Sequence, residues 1–170
     1  LIDHRANLGK TDQKGNMSLG IDCNPLIIAT EVGNVAIVRQ LLESGASPKD
    51  KDKDGNTPLL IAAKEGFDEV CTALIDHGAD LEAEDQEGNT PLLLATKGCH
   101  SSTVSTLLER GAKINVSDKG GLTPLLVATQ AGQVGLMEQL LEYGDRVKDP
   151  TLQNCHNNKA NNGSLVKQLL

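Results

Sequence analysis

The stretch that runs from Gly55 to Asp80 reads GNTPLLIAAKEGFDEVCTALIDHGAD, and close copies of it recur along the chain every 33 residues. A Pro follows Thr or Asn near the start of each copy, a pair of Leu or Ile residues marks its second half, and a Gly closes it. The copies are aligned by Asn24-Pro25, Thr57-Pro58, Thr90-Pro91 and Thr123-Pro124. Four copies at one spacing indicate a repeat architecture in which each copy is one structural unit.

Each unit is predicted to contain two short helices. Thr57 can cap the first helix with its hydroxyl, and Pro58 suits the first helical position, where its missing N–H is no loss. Gly66 ends this helix because glycine accepts the left-handed backbone of a helix stop. Apolar residues at one-turn spacing, including Val70 and Leu74, mark the second helix. Both helices are shorter than the ~12 residues that an isolated helix needs in water, so they must pack on neighbouring units.

The pattern closely resembles the ankyrin repeat, and the resemblance covers roughly residues 1–148. It implies an all-α repeat solenoid of helix-turn-helix units joined by β-hairpin-like fingers. We expect a single domain over residues 1–170, made of a partial repeat with an extended finger (1–22), four repeats (23–55, 56–88, 89–121 and 122–148) and a degenerate C-terminal repeat (149–170). The resemblance also implies a non-catalytic protein–protein interaction module that binds on its concave and finger surface.

Three places depart from a regular array. An insertion of about seven residues, near 17–23, lengthens the first finger. In the third repeat Gly98-Cys99 stands where the other repeats have one residue and then a glycine, which predicts a reshaped turn between the two helices. After Pro150 the register is lost, although residues 166–170 echo the second helix of the first repeat.

One further departure concerns polarity inside the stack. Ankyrin repeats usually have His after Thr-Pro-Leu, and that His makes buried hydrogen bonds to the neighbouring turn. Here the position holds Ile27, Leu60, Leu93 and Leu126. We therefore expect apolar burial, at roughly 25 cal/mol per Å², in place of those hydrogen bonds.

Partner contacts in ankyrin proteins are generally made by the finger tips and the exposed positions of the first helix, and the resemblance implies such positions here by register. In the second repeat they are Lys53, Asp54, Asn56, Lys64, Glu65 and His77; in the third they are Gln86, Glu87, Asn89, Lys97 and Arg110. In the fourth they are Lys119, Leu122, Gln130, Ala131 and Tyr143, and the first repeat adds Glu31, Val32 and Ser44. Tyr143 and Leu122 stand out because both positions are expected to be exposed, and Tyr is a common interface anchor.

The charge distribution favours a protein partner over nucleic acid. The chain carries a formal net charge of -7, whereas affinity for phosphate requires clustered Lys and Arg. The segment from Asp80 to Glu87 contains five acids and no base. This local negative charge favours a basic peptide or a basic face of another protein, and an ordinary solvated surface is the alternative.

The sequence contains no signature of a catalytic, cofactor or metal site. Gly9-Lys10-Thr11 resembles the end of a phosphate-binding loop, but His4 stands where that loop requires its first glycine. Cys99-His100 and Cys155-His156 lack the ligand spacing of a structural zinc site. We therefore expect a chain that is not an enzyme and that needs neither a cofactor nor a metal.

The expected setting is cytoplasmic or nuclear, or the intracellular side of a membrane protein. The four cysteines share no short spacing, which fits reduced thiols, and no apolar run approaches the ~20 residues of a membrane span, so we expect no direct membrane contact. Leu1-Ile2-Asp3-His4 matches Leu74-Ile75-Asp76-His77, so we expect a longer array with other domains in the parent chain. Two other functions stay open: a regulatory or tethering segment of a larger membrane channel or multidomain enzyme, and a purely structural stack.

Overall fold

The computed structural model describes residues 24–146, which form eight helices in four consecutive pairs. The first helices of the pairs are α1 (Pro25–Glu31), α3 (Pro58–Glu65), α5 (Pro91–Lys97) and α7 (Pro124–Gln130). The second helices are α2 (Val35–Glu43), α4 (Asp68–Asp76), α6 (Ser101–Glu109) and α8 (Val134–Arg146). Each helix contacts its counterpart in the next pair, so the pairs form a two-layered stack. The predicted all-α solenoid is confirmed. The lengthened first finger and the degenerate C-terminal repeat lie outside the described residues.

Each first helix begins at the Thr-Pro or Asn-Pro pair that marks its repeat. The N–H of Leu60 donates to Thr57 Oγ1 over 3.4 Å, and Thr90 and Thr123 accept equivalent bonds over 3.4 and 3.3 Å. Asn24 Oδ1 accepts from the N–H of Leu26 over 2.9 Å. These side chains satisfy backbone donors that a helix start leaves without partners, so the predicted caps are confirmed.

An apolar core runs along the stack between the two layers of helices. Leu59 and Leu92 belong to its first-helix side, Leu74 and Leu107 belong to its second-helix side, and all four are at most 1% exposed. Each of these side chains contributes roughly 1.5–3 kcal/mol by leaving water. Helices of seven to nine residues are held by this burial, because they are too short to be stable alone.

The position that follows Thr-Pro-Leu, or Asn-Pro-Leu in the first repeat, is buried in the first three repeats and exposed in the fourth. Ile27, Leu60 and Leu93 are 6%, 1% and 0% exposed, which confirms apolar burial at these three sites. Leu126 at the same position is 48% exposed, so the prediction is wrong for the fourth repeat. The cause is that, within residues 24–146, no further first helix packs against α7.

An aromatic ring from one repeat covers the helix-stop glycine of the repeat before it. A Cβ built on Gly33 would lie 2.9 Å from the Phe67 ring, and one built on Gly66 would lie 2.5 Å from the His100 ring. His100 Nε2 also lies 3.0 Å from the carbonyl oxygen of Lys64, a contact that requires the proton on Nε2. Phe67 therefore packs against the repeat that precedes its own.

The third repeat keeps the same turn between its helices as the others, so the reshaped turn predicted from Gly98-Cys99 is wrong. Cys99 has a φ of 61°, next to 71°, 77° and 66° for the glycines at the equivalent positions 33, 66 and 132. The N–H of Cys99 donates to the carbonyl of Thr96 over 3.0 Å, and the N–H of His100 donates to the carbonyl of Ala95 over 2.9 Å. These bonds and the packed His100 ring impose a left-handed backbone on a residue with a Cβ.

Cys99→Gly should therefore stabilise the fold. Removal of the Cβ relieves the left-handed strain, and the larger entropy of glycine in the unfolded chain offsets part of that gain, so we expect an increase of about 0.5–1 kcal/mol in the free energy of unfolding. Urea denaturation measures this change. Cys99→Ala is the control, because it removes the thiol and keeps the Cβ. Equal gains from the two variants would contradict the strain explanation.

Candidate functional site

Three fingers of one design connect the helix pairs: finger I (46–56), finger II (79–89) and finger III (112–122). Each is organised by an aspartate, which is Asp52, Asp85 or Asp118. The Oδ1 of this residue accepts the N–H groups two and four residues further on, over 2.7 to 2.9 Å. Its own N–H donates to the carbonyl four residues on, over 2.9 to 3.1 Å. The result is the hairpin-like finger that the sequence predicts.

Neighbouring finger tips are tied to one another. Gln86 Nε2 donates to the carbonyl of Asp54 over 2.8 Å, and Lys119 Nζ donates to the carbonyl of Gln86 over 2.7 Å. The N–H of Lys119 also donates to the carbonyl of Glu87 over 3.0 Å. The tips therefore form a continuous line along which each finger is positioned by the one before it.

Lys97 connects fingers II and III, whereas Lys64 at the equivalent position does not connect fingers I and II. Lys97 Nζ donates to Asn89 Oδ1 over 2.6 Å and pairs with Asp118 Oδ2 at 3.0 Å. In finger II the side-chain amide of Asn89 donates a hydrogen bond to Asp85 Oδ2, the second carboxylate oxygen, over 2.8 Å. Among the described residues the Lys64 ammonium makes no hydrogen bond or ion pair.

A groove of about 420 Å³ opens between fingers I and II, over the first helices α1, α3 and α5; we name it the central groove. Its floor is apolar and consists of Leu60, Ile61 and Leu94. The walls carry carboxylates, ammonium groups and amides, from Glu31, Asp52, Asp54, Glu65, Asp85, Glu87, Lys64, Lys97, Asn56 and Asn89. Six carboxylates face two ammonium groups, so the lining has a formal excess of four negative charges.

The structure brings eight of the predicted contact residues together in the central groove: Glu31, Asp54, Asn56, Lys64, Glu65, Glu87, Asn89 and Lys97. Asn89 is only 1% exposed, and its amide holds the finger together. Gln86 and Lys119 lie at the tied finger tips, and Lys53 and Gln130 are exposed outside the groove. His77 and Arg110 lie at the ends of second helices, where His77 Nδ1 is 2.9 Å from the Ala73 carbonyl oxygen and Arg110 pairs with Asp76.

Tyr143 and Leu122 are half-buried, so the prediction that both are exposed is wrong. The Tyr143 hydroxyl donates to the carbonyl of Leu108, and its ring packs on the core where α8 meets α6. The neighbouring repeat covers Tyr143, and the register alone does not show this. The part that the two residues take in partner binding stays a prediction.

The register-based prediction did not include five residues of the groove lining, namely Asp52, Leu60, Ile61, Asp85 and Leu94. The two aspartates carry a sequence signal, since each opens a finger motif of the form Asp-x-x-Gly-Asn. The three apolar residues carry none, because a Leu or Ile in the first helix is as easily assigned to the core.

The pKa values of two finger aspartates, Asp85 and Asp118, are lowered by the groups around them. Burial tends to raise the pKa of Asp85, but the side-chain amide of Asn89 and the N–H groups of Asn89 and Glu87 outweigh this effect, and the net pKa lies below the usual value. The N–H of Leu122, followed by Lys97, lowers the pKa of Asp118. A carboxylate with a lowered pKa accepts hydrogen bonds well and is a poor proton donor near neutral pH.

The fingers should accordingly lose stability in acid. A carboxyl whose pKa is lowered by folding contributes stability above the ordinary Asp pKa of about 3.9, and this is lost as the pH falls through the lower value of the folded chain. We expect the urea concentration at the unfolding midpoint to decrease as the pH is lowered from neutral into the acid range. The decrease should be smaller for Asp85→Asn. Glu109→Gln, which lies outside the fingers, should retain the full fall. An Asp85→Asn variant with the original pH dependence would contradict this account.

The thiol of Cys71 belongs to the core. Cys71 is buried, and this desolvation, with the nearby charge of Asp68, raises the pKa of its thiol to about 12, so it remains a protonated core side chain. Within residues 24–146 no three His, Cys, Asp or Glu side chains are grouped to hold a metal ion. In the same residues no helix has the length and apolar character of a membrane span.

Comparison with known protein families agrees with the geometry. Residues 1–85 and 81–154 match a family described as ankyrin repeats in three copies. A search of curated protein sequences gives no match. The matched residues cover most of the chain, and they include every helix pair, finger and groove residue described above. The chain belongs to the ankyrin repeat family.

Proposed function

We propose that the chain is a non-catalytic module that binds a partner protein reversibly through the central groove and the finger tips. Ankyrin repeats are generally protein–protein interaction modules. The observation that carries the proposal is the central groove itself, which combines an apolar floor with charged walls on a repeat scaffold. Apolar area supplies affinity, and the placed polar groups supply orientation and specificity.

The rigidity of the fingers supports this function. Each finger is closed by its own aspartate and tied to the next finger through Gln86, Lys97 and Lys119. A surface that is ordered before association loses less conformational entropy on binding than a mobile one. The partner therefore meets side chains whose backbone is already in place.

The chemistry of the lining supports binding in preference to covalent catalysis. The groove is lined by carboxylate, amide, ammonium and aliphatic side chains, and its lining contains no hydroxyl, thiol or imidazole group. The lowered pKa of Asp85 is the opposite of what a general acid requires near neutral pH. Ankyrin repeat domains are typically non-catalytic.

Site-specific photo-crosslinking tests the proposal. A photoreactive amino acid replaces Lys64 in the groove, Lys53 on finger I, or Glu69 on α4 in the other helix layer; all three positions are exposed. In lysate of the cells that make the protein, we expect one defined adduct from positions 64 and 53 and none from position 69. An adduct from position 69 alone would place the partner on the second-helix layer and contradict the proposal.

A second function, a structural stack that packs on other parts of a longer chain, is favoured by apolar side chains at both ends of the described stack. Ile37 is 47% exposed, whereas Val70, Thr103 and Leu136 at the same register position are at most 2% exposed. At the other end of the described stack the Leu126 side chain is exposed. In a longer chain that covers these ends, hydrogen exchange in α2 and α7 should slow. Unchanged exchange would count against this function.

A further inference from the structure

We infer that the central groove takes a basic, extended segment of the partner protein. An Arg or Lys head would lie among the carboxylates of Glu31, Asp54 and Glu87, and its aliphatic stem would lie on Ile61 and Leu94. The inference rests on the proposed function and names the chemistry of its partner. Three features of the groove support it. The groove has an excess of carboxylates, these carboxylates form no ion pairs in the described residues, and an apolar floor lies between charged walls.

The excess of negative charge in the central groove does not repeat at the equivalent positions one repeat further on. One repeat further on, the position of Glu31 holds Lys64, the position of Glu65 holds Gly98, and the position of Glu87 holds Gly120. The positions between fingers II and III therefore lack three of the six acids and keep the other three, as Asp85, Glu87 and Asp118. With Lys64 and Lys97 as the bases, their formal charge is -1, whereas that of the central groove is -4. Charge that merely solvates the fingers would follow the repeat. Its concentration in one groove indicates a local role.

None of the six groove carboxylates forms an ion pair within the described residues. The ion pairs there are Lys97 with Asp118 and Arg110 with Asp76, and neither acid belongs to the groove lining. Glu31, Asp54 and Glu65 accept no side-chain hydrogen bond in the described part of the chain, and Glu87 accepts one, from Asn89 over 3.2 Å. Like charges that face one cavity repel each other, and a cationic ligand relieves this repulsion.

The shape of the groove fits a long cationic side chain. Lys and Arg bury their methylene stems on apolar surface while the charged head stays among polar groups. Ile61 and Leu94 supply that surface at the floor, and Asp54 and Glu87 stand at equivalent positions of the two facing fingers. The unpaired Lys64 ammonium, which lies in the same lining, provides a donor for a carbonyl of an extended partner backbone. An acidic segment or a nucleic acid would be repelled by the same walls.

The test uses two short fluorescent peptides, one of alternating arginine and alanine and one of alternating glutamate and alanine. We expect the arginine peptide to bind with an affinity that falls as salt rises, and the glutamate peptide not to bind. In ¹⁵N-labelled protein, the arginine peptide should shift the amide signals of Asp54, Ile61, Lys64 and Glu87. Equal binding of both peptides, no binding of the arginine peptide at low salt, or shifts confined to the second-helix layer would each overturn the inference.

Two charge-matched variants separate the groove from the net charge. The groove variant carries Glu31→Gln, Asp54→Asn and Glu87→Gln, and the control carries Glu84→Gln, Glu109→Gln and Glu138→Gln, which are exposed residues outside the groove lining. We expect the groove variant to bind the arginine peptide at least about tenfold more weakly, and the control to change less than about twofold. Equal weakening would mean that the peptide responds to net charge, and the inference would be wrong.

The outcomes distinguish this inference from the proposed function. Failure of the arginine peptide together with groove crosslinks from Lys64 would leave a partner-binding groove whose partner is not basic. Crosslinks from Glu69 alone would remove the proposed function, whatever the peptides do. Each result therefore identifies which of the two statements is wrong.

Discussion

Leu107→Ala should lower the free energy of unfolding by about 2–5 kcal/mol, which is the usual cost of truncating a fully buried leucine. Leu107 is 0% exposed and lies in the core on the second-helix side of the third repeat. Each repeat is stabilised mainly by its neighbours, so weakening a middle repeat also weakens the coupling between the two ends. We therefore expect a broader urea transition with a smaller slope, as well as a lower midpoint.

Hydrogen exchange shows where the coupling is lost. In the Leu107→Ala variant, amides of α5 and α6 should exchange faster than those of α3 and α4, since the damage is centred on the third repeat. Glu109→Ala is the matched control, because it lies on the same helix and is exposed. It should change the free energy of unfolding by less than about 0.5 kcal/mol. A single sharp transition with uniform protection in Leu107→Ala would contradict a repeat stack.

Gly66→Ala should destabilise the fold by about 2–4 kcal/mol, through two independent effects. Gly66 has a φ of 77°, and a left-handed backbone costs an alanine about 1 kcal/mol. The new Cβ would also meet the His100 ring at 2.5 Å, and overpacking of this kind costs about 1–3 kcal/mol. The His100 ring has little room to move, because Nε2 is held by the Lys64 carbonyl.

Gly132→Ala separates the two effects. Gly132 has a φ of 66°, but a Cβ there meets nothing within 4 Å, so only the backbone cost of about 1 kcal/mol should remain. Combining Gly66→Ala with His100→Ala should recover the part of the lost unfolding free energy that is due to the clash. A double-mutant cycle measures this part. If Gly66→Ala costs no more than Gly132→Ala, the His100 ring does not constrain the turn at Gly66, and the clash explanation is wrong.

Much of the fold could be predicted from the sequence, because the features that define a repeat are local. A cap such as Thr57 bonds to an N–H three residues away, and a stop such as Gly66 depends on its own φ. The finger aspartates bond within four residues, which is why a motif beginning at Asp85 predicts the same hairpin as one beginning at Asp52. Repetition of these local signals at one period determines the helices, the turns and their order.

The candidate site could be predicted only in part, since it depends on contacts between repeats. Register placed Lys64 and Lys97 at equivalent positions, yet in the described residues the Lys97 ammonium pairs with Asp118 and the Lys64 ammonium forms no ion pair. Ile61 and Leu94 look like ordinary core residues in the sequence, but both are partly exposed at the floor of the central groove.

The sequence by itself determined the period, the helix pairs, the caps and stops, and therefore the ankyrin architecture, because each rests on residues that are neighbours along the chain. The tertiary structure decided the left-handed turn at Cys99, the burial of Tyr143, the exposure of Leu126 and the concentration of unneutralised acids in the central groove. Each of these depends on which side chain of the adjacent repeat lies opposite. The stacking of the helix pairs determines which side chains face each other, and the sequence of a single repeat does not contain this information.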